Sequence, residues 1–151
     1  MRELRLRALA DAPLAFGSTL AREEAFAEEV WQDRAARGAM GESQVTYVAE
    51  EGECWVGMAT GLVADADGPR PELVGMFVEP AVRGRRVGAA LVEAVAAWAR
   101  VRGMARLYLW VTSTNLAALA LYRRCDFRPT GRRQPLDHTP SLWELEMARD
   151  V

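Results

Sequence analysis

Two almost unbroken apolar runs, Leu73–Val78 and Leu107–Val111, constrain this chain more than any other feature. A strand of that kind has no polar side to turn to water, so it must be covered on both faces. A helical pattern follows each run. Pro80 closes the first strand, and a helix over 88–102 then carries Leu91, Val95 and Trp98 on one face and stops at Gly103. After the second run, Thr112-Ser113-Thr114-Asn115 offers several N-cap side chains for a helix over 115–125.

The remaining segments fit around these two units. Residues 2–11 read as a helix with Leu4, Leu6 and Leu9 among arginines, ended by Pro13. Residues 20–37 read as a second helix, with Phe26, Val30 and Trp31 sharing a face and Gly38 stopping it. Strands are expected over 44–50 and 53–64, turning at Gly52, and a loop over 65–71. Residues 128–134 and 142–148 read as a hairpin-like pair. The order α-α-β-β-β-α-β-α-β-β describes a mixed sheet with helices packed on it, an α/β or α+β domain. With 151 residues, half of them hydrophobic, a single domain over 1–151 can build a core without staples.

Composition removes several classes of function. No apolar run reaches the roughly 18 residues of a membrane span, and the N-terminus lacks a signal-peptide pattern, so a cytoplasmic protein with no membrane partner is expected. A net charge of −2 argues against a nucleic-acid partner. Cys54 and Cys125 lie too far apart for a metal-ligand pattern and read as free buried thiols, so no metal site is expected. All 19 basic residues are arginine, which leaves no lysine for Schiff-base chemistry. Residues 1–70 carry 13 acids and 7 arginines, a net of −6, whereas residues 71–151 carry 8 acids and 12 arginines, a net of +4. The basic half suits an anionic ligand and the acidic half a cationic one. Glu23, Glu24, Glu28 and Glu29 in the second helix, with Asp65 and Asp67 in a loop near Glu72, are expected to draw an ammonium group.

The segment from Met76 to Leu91 is a strand, a tight turn and the start of a long helix. The first amides of that helix have no internal partners and lie at the positive end of its dipole, where a pyrophosphate fits. Gly84 and Gly88 let the backbone approach a ligand without a Cβ in the way. Arg83, Arg85 and Arg86 crowd positive charge at an end that tolerates it only with an anion present. A Rossmann site needs G-x-G-x-x-G and a later acid, and a Walker A loop needs a lysine; neither pattern is here.

This segment resembles the acetyl-CoA motif of GNAT acetyltransferases, Q/R-x-x-G-x-G/A after a V-x-P strand end. Arg83 stands at the Q/R and Gly88 at the last position. Arg86 replaces the middle glycine, which suggests that a positive φ is not required there. Downstream, Asn115, Ala118, Leu121, Tyr122 and Phe127 match N-x-x-A-x-x-L-Y-x-x-x-G-F, with Asp126 in place of the glycine. The resemblance spans residues 45–148.

The resemblance implies the GNAT fold: a mixed, mostly antiparallel central sheet with two splayed parallel strands, 72–78 and 106–111, flanked by about four helices. Members of the family begin with a strand ahead of the first helix; this chain begins almost inside the helix, so that strand is expected to be missing. Acetyl-CoA would be the co-substrate. Its pantetheine would run along Met76, Phe77 and Val78, and its pyrophosphate would sit on the amides of Gly84 to Ala89, with Arg83, Gly84, Arg85, Arg86, Val87, Gly88 and Ala89 forming the cradle. Asn115 and Ala118 would contact the pantetheine. Tyr122 would protonate the leaving thiolate. Some members place a glutamate where Trp110 stands here, so Glu72 becomes the candidate base. The first helix pair and the loop Ala10–Ser18 would flank the pocket for the acceptor, a primary amine of a small molecule or a protein. His138, the only histidine, reads as a surface residue. Homodimerisation is left open. The competing readings are a non-catalytic acyl-CoA-binding or sensing module on the same fold, and a binder of phosphorylated ligands unrelated to CoA.

Overall fold

The computed structural model describes residues 1–64 and 69–151. The elements are helices α1 (Arg2–Asp11), α2 (Leu20–Glu24), α3 (Glu28–Met40), α4 (Val87–Val101) and α5 (Leu116–Arg124), and strands β1 (Gln44–Glu51), β2 (Cys54–Ala64), β3 (Arg70–Val78), β4 (Arg106–Thr112), β5 (Arg128–Leu136) and β6 (Thr139–Asp150). Short 3₁₀ turns at Pro13–Ala15 and Pro80–Val82 follow α1 and β3. The strands form one sheet in the order β1-β2-β3-β4-β6-β5. Every neighbouring pair is antiparallel except β3 and β4, which run parallel.

Apolar alternation sorts the helices onto two faces. α4 and α5 bury Leu91, Val92, Val95, Leu119 and Tyr122 against Ala59, Leu73, Leu107, Leu109 and Met147. On the opposite face α1 buries Leu4, Ala8 and Leu9 against Phe16, Met58 and Phe77. The apolar run in β3 is therefore covered on both sides, through Leu73 and Phe77, whereas β4 buries Leu107, Leu109 and Val111 on one face and leaves Tyr108 and Trp110 half-buried on the other.

The parallel pair is short. Glu72 faces Tyr108, and no further pairing follows. Toward its C-terminal end β3 departs from β4, because it carries a bulge: Met58 pairs with Phe77 and Thr60 with Val74, so two residues of β3 oppose Ala59 alone. Gly75 sits in that bulge at φ 61°, a conformation that a side chain would strain. An apolar run read as one regular strand is thus bent by a single glycine, and the bend opens a cleft between β3 and β4.

Two expectations for residues 20–37 need correction. The segment is two helices, broken at Ala25–Ala27, and Gly38 lies inside α3 while Gly41 ends it at φ 72°. Gly38 is there for packing: a Cβ would lie 2.7 Å from Thr46 Oγ1 on β1. The break overrides good helix formers because it lets Glu23 turn inward to Arg5 and Arg34. Val30, expected on the buried face, is exposed; Trp31 is 3% exposed and packs on Phe26 with the rings tilted by 55° and their centroids 6.0 Å apart. Arg70 and Pro71, expected in a loop, belong to β3. Asp65 and Asp67 lie outside the described residues. Cys125 is buried, but Cys54 is exposed. Among the described residues no helix is long and apolar enough to cross a membrane, and no group of side chains could hold a metal ion.

Candidate active site

The cleft between β3 and β4 widens into a cavity of about 430 Å³. One wall is β3 from Leu73 to Val78 and the turn into α4; the other is Trp110, Val111 and Thr112 of β4 with Asn115, Ala118, Leu121 and Tyr122. The loop after α1 closes one side through Ala15 and Phe16. Thr112 holds that loop in place, its hydroxyl donating to Leu14 O at 2.6 Å.

At the turn, α4 starts from Arg86, whose φ is 65°. The expectation that this position needs no positive φ is therefore corrected. A left-handed residue is needed to swing the first α4 amides toward the cavity, and the site accepts the strain of placing a side-chain-bearing residue there. Val87 and Gly88 begin the helix, and their amides have no intrahelical partner. Gly88 lines the cavity against α5; a Cβ there would lie 3.1 Å from Leu121 and 3.2 Å from Met76. Asp126 also takes φ 65°, in keeping with the tolerance of aspartate for that region.

Most of the residues read as a cofactor site come together here. Met76, Phe77, Val78, Arg83, Gly84, Arg86, Val87, Gly88, Asn115, Ala118 and Tyr122 all line the cavity. Arg85 and Ala89 do not; Arg85 pairs with Glu51 at 2.6 Å. Arg83 donates from Nε to Val78 O at 2.9 Å and pairs with Asp11, so it ties β3 and the end of α1 to the turn. Asn115 caps α5, accepting from Ala118 N at 3.1 Å. Tyr122 is 7% exposed and packs edgewise on Phe127. Burial, with a smaller contribution from Cys125, pushes its phenol far above the ordinary value, so it holds its proton at any working pH.

Glu72 is placed elsewhere. It lines neither cavity described here, and its carboxylate contacts Arg70 Nε at 3.2 Å without hydrogen-bond geometry. Arg70 itself packs 3.9 Å over Tyr108 and pairs with buried Glu146, which also accepts from Thr130 at 2.5 Å. The structure thus places Glu72 outside both cavities, in a strand-face ion pair with Arg70. His138 is not a plain surface residue. Its Nε2 lies 2.8 Å from Phe16 O and donates to it, while Nδ1 lies 3.0 Å from Thr139 Oγ1, so the ring braces the loop that borders the cavity.

A second cavity, about 490 Å³, adjoins the first and shares Ala15, Phe16, Leu73, Val74, Gly75 and Trp110 with it. Sequence reasoning placed the first helix pair beside such a pocket but missed the side chains that shape it. Glu23, 1% exposed, accepts from Arg5 at 2.6 and 3.0 Å and from Arg34 at 3.0 Å. Burial alone would raise its carboxyl pKa, but the two guanidiniums outweigh burial and hold it below the ordinary carboxylate range. The acidic cluster of the second helix is thus only partly neutralised: Glu23 points inward and Glu28 pairs with Arg2 at 3.1 Å, while Glu24 and Glu29 are exposed and in no ion pair among the described residues. Glu144, facing Thr112 across the β4–β6 ladder, also lines this cavity and went unnoticed because one acid in a strand carries no local signal.

Comparison with known proteins agrees with this geometry. An IAA acetyltransferase of Azospirillum brasilense is 32% identical over 79 residues, 52% of either chain. An uncharacterized N-acetyltransferase of Methanocaldococcus jannaschii is 38% identical over 56 residues, 37% of this chain and 25% of that protein. The matches therefore span about half and a quarter of the length of these curated relatives. The crystal structure of the ribosomal-protein-alanine N-acetyltransferase of Brucella melitensis superposes with a TM-score of 0.74 at 25% identity, covering 99% of this chain and 94% of that one. The model of the acetyltransferase (GNAT) family matches residues 7–127, and the chain belongs to that family.

Proposed function

We propose that this protein transfers the acetyl group of acetyl-CoA to a primary amine nitrogen of a small molecule or a protein. The observation that carries the reading is a single cavity lined both by the amide-presenting N-terminus of α4 and by a buried, protonated Tyr122. The fit to acetyl-CoA rests on the same wall. The β3 backbone from Val74 to Val78 lost its β4 partner at the Gly75 bulge and can pair with an extended amide-bearing arm. The α4 amides suit a pyrophosphate, and Gly88 leaves the room that a side chain would take.

Acetyl-CoA supplies its acetyl group as an activated thioester. Tyr122 holds a proton beside the cavity and can deliver it to a departing thiolate. Trp110, where some relatives of this fold class have an acid, leaves no base at that position, so the attacking amine must arrive neutral and hand its proton to water. The neighbouring cavity admits the amine through the shared wall of Leu73, Val74, Gly75 and Trp110.

Calorimetry with acetyl-CoA and thiol release with a panel of amines test the proposal together. Stoichiometric binding with amine-dependent thiol release supports it. Binding without release for any amine would favour a non-catalytic acyl-CoA-binding module, and no binding at millimolar acetyl-CoA would remove the assignment altogether.

A further inference from the structure

The second cavity has two walls of opposite charge. The helix wall carries Arg5, Arg34 and Arg37; Arg37 is neutralised by Asp33 at 2.7 Å, and Arg5 and Arg34 face one lining carboxylate, Glu23. Glu23 is shared by two guanidiniums, Arg5 and Arg34, which leaves that part-buried cluster one positive charge in excess. Arg34 makes up part of its lost hydration by stacking 4.8 Å from the Phe26 ring centroid and 5.3 Å from that of Trp31. Trp31 lines the same wall, and its indole Nε1–H is buried without an acceptor among the described residues. An orphaned buried donor beside surplus guanidinium charge is a wall short of an anion.

The strand wall is the reverse. Glu144 and Asp137 line it, and neither is in an ion pair among the described residues. Glu144 accepts only from the neutral Gln134 amide, at 3.0 Å. It stands opposite Thr112, which lines the first cavity, so it belongs to the strand side on which the two cavities adjoin. Phe16, Met58, Leu62 and Leu73 supply an apolar middle. The volume, about 490 Å³, is that of a small-molecule site.

The geometry points to an acceptor that is a small aminocarboxylate: a primary amine at one end, a carboxylate at the other and an apolar body between. This inference rests on the acetyltransferase reading and adds the class of acceptor. The carboxylate docks on Arg34 and the Trp31 indole, and the ammonium is drawn to Glu144. After that ammonium loses one proton to water, the nitrogen forms a bond to the acetyl carbon, the carbon–sulfur bond breaks, the sulfur takes a proton from Tyr122, and one of the two N–H protons leaves to solvent, which re-protonates the phenolate, while the amide keeps the other. The acidic N-terminal half alone would select a purely cationic amine; the pairing of Glu23 with Arg5 and Arg34 adds a cationic wall that a carboxylate can use.

The test is kcat/KM on the full-length wild-type chain with acetyl-CoA and a series of ω-aminocarboxylates of increasing length, each against its own primary amide, with every rate expressed per neutral amine so that the differing amine pKa values drop out. A phosphonate series separates carboxylate recognition from a general anion preference. The expected result is a carboxylate-to-amide ratio of about tenfold or more at the best length, expressed mainly in KM and shrinking with added salt. Arg34→Gln should bring the ratio toward one, with acetyl-CoA affinity as the check on its fold. Thiol release with a ratio of one or below at every length would overturn this inference alone, and a ratio met only by phosphonates would overturn the carboxylate. Failure of acetyl-CoA to bind would sink the acetyltransferase reading and this inference with it.

Discussion

The cavity between β3 and β4 takes most of its lining from two continuous stretches, residues 73–88 and 110–122. The cavity beneath the helices draws on α1, α2, α3, β1, β2, β3, β4, β5 and β6. The first presents mainly backbone: unpaired strand amides, a helix N-terminus and a glycine. The second presents side chains whose charges are set by partners far away in sequence, such as Arg5 and Glu23, 18 residues apart. A site made of backbone is rigid and chemically uniform, so it suits a ligand common to many relatives. A site made of side chains can be rewritten one residue at a time, so it suits the ligand that differs.

Substitutions that separate chemistry, stability and binding probe that contrast. The largest effect is expected from Tyr122→Phe, which should lower turnover by about 10²–10⁴-fold while leaving acetyl-CoA affinity nearly intact. Unchanged turnover would mean that the thiolate takes its proton from water. Next comes Glu23→Gln, which strands two guanidiniums and should cost about 3–5 kcal/mol in urea unfolding. The same carboxyl sets a pH window. Its folded pKa lies below its ordinary value of 4.5, so its stabilising contribution is present above that value and is lost as pH falls through the folded pKa. The Gln variant should therefore be less acid-sensitive than the wild type, and equal acid sensitivity would break the argument.

Gly88→Leu should weaken acetyl-CoA binding by roughly 10–100-fold, the size expected for overfilling a packed space, as read by calorimetry. Gly103→Leu, at φ 72° with open space around it, should lower the melting temperature without touching affinity. Equal losses of affinity would mean that α4 matters only through stability. The smallest effect is expected from Glu72→Gln. Arg70 keeps Glu146 as partner, so stability should change by less than about 1 kcal/mol and the acidic limb of the pH–rate profile should stay in place. A shifted limb would restore Glu72 as a base.

Much of the first cavity was legible because its signals are local. The apolar runs, the turn after Pro80, the glycine at 88 and the cap at Asn115 are each readable within a few residues, and the Asn115 cap is present at 3.1 Å. The bulge at Gly75 was not legible, since its cause lies in the register that β2 imposes on β3. Neither was the left-handed Arg86, where the arrangement of the turn overrides the residue's own preference.

By itself, then, the sequence determined the order of elements, the two apolar central strands and the strand–turn–helix that presents amides to an anion. Periodicity and backbone chemistry act over a few residues and need no distant partner. The tertiary structure alone decided the break between α2 and α3, the inward turn of Glu23, the retirement of Glu72 into an ion pair and the opposed charges of the second cavity. Each of these depends on which charged groups meet across many residues of chain, and a charge in a sequence carries no record of the partner that will neutralise it.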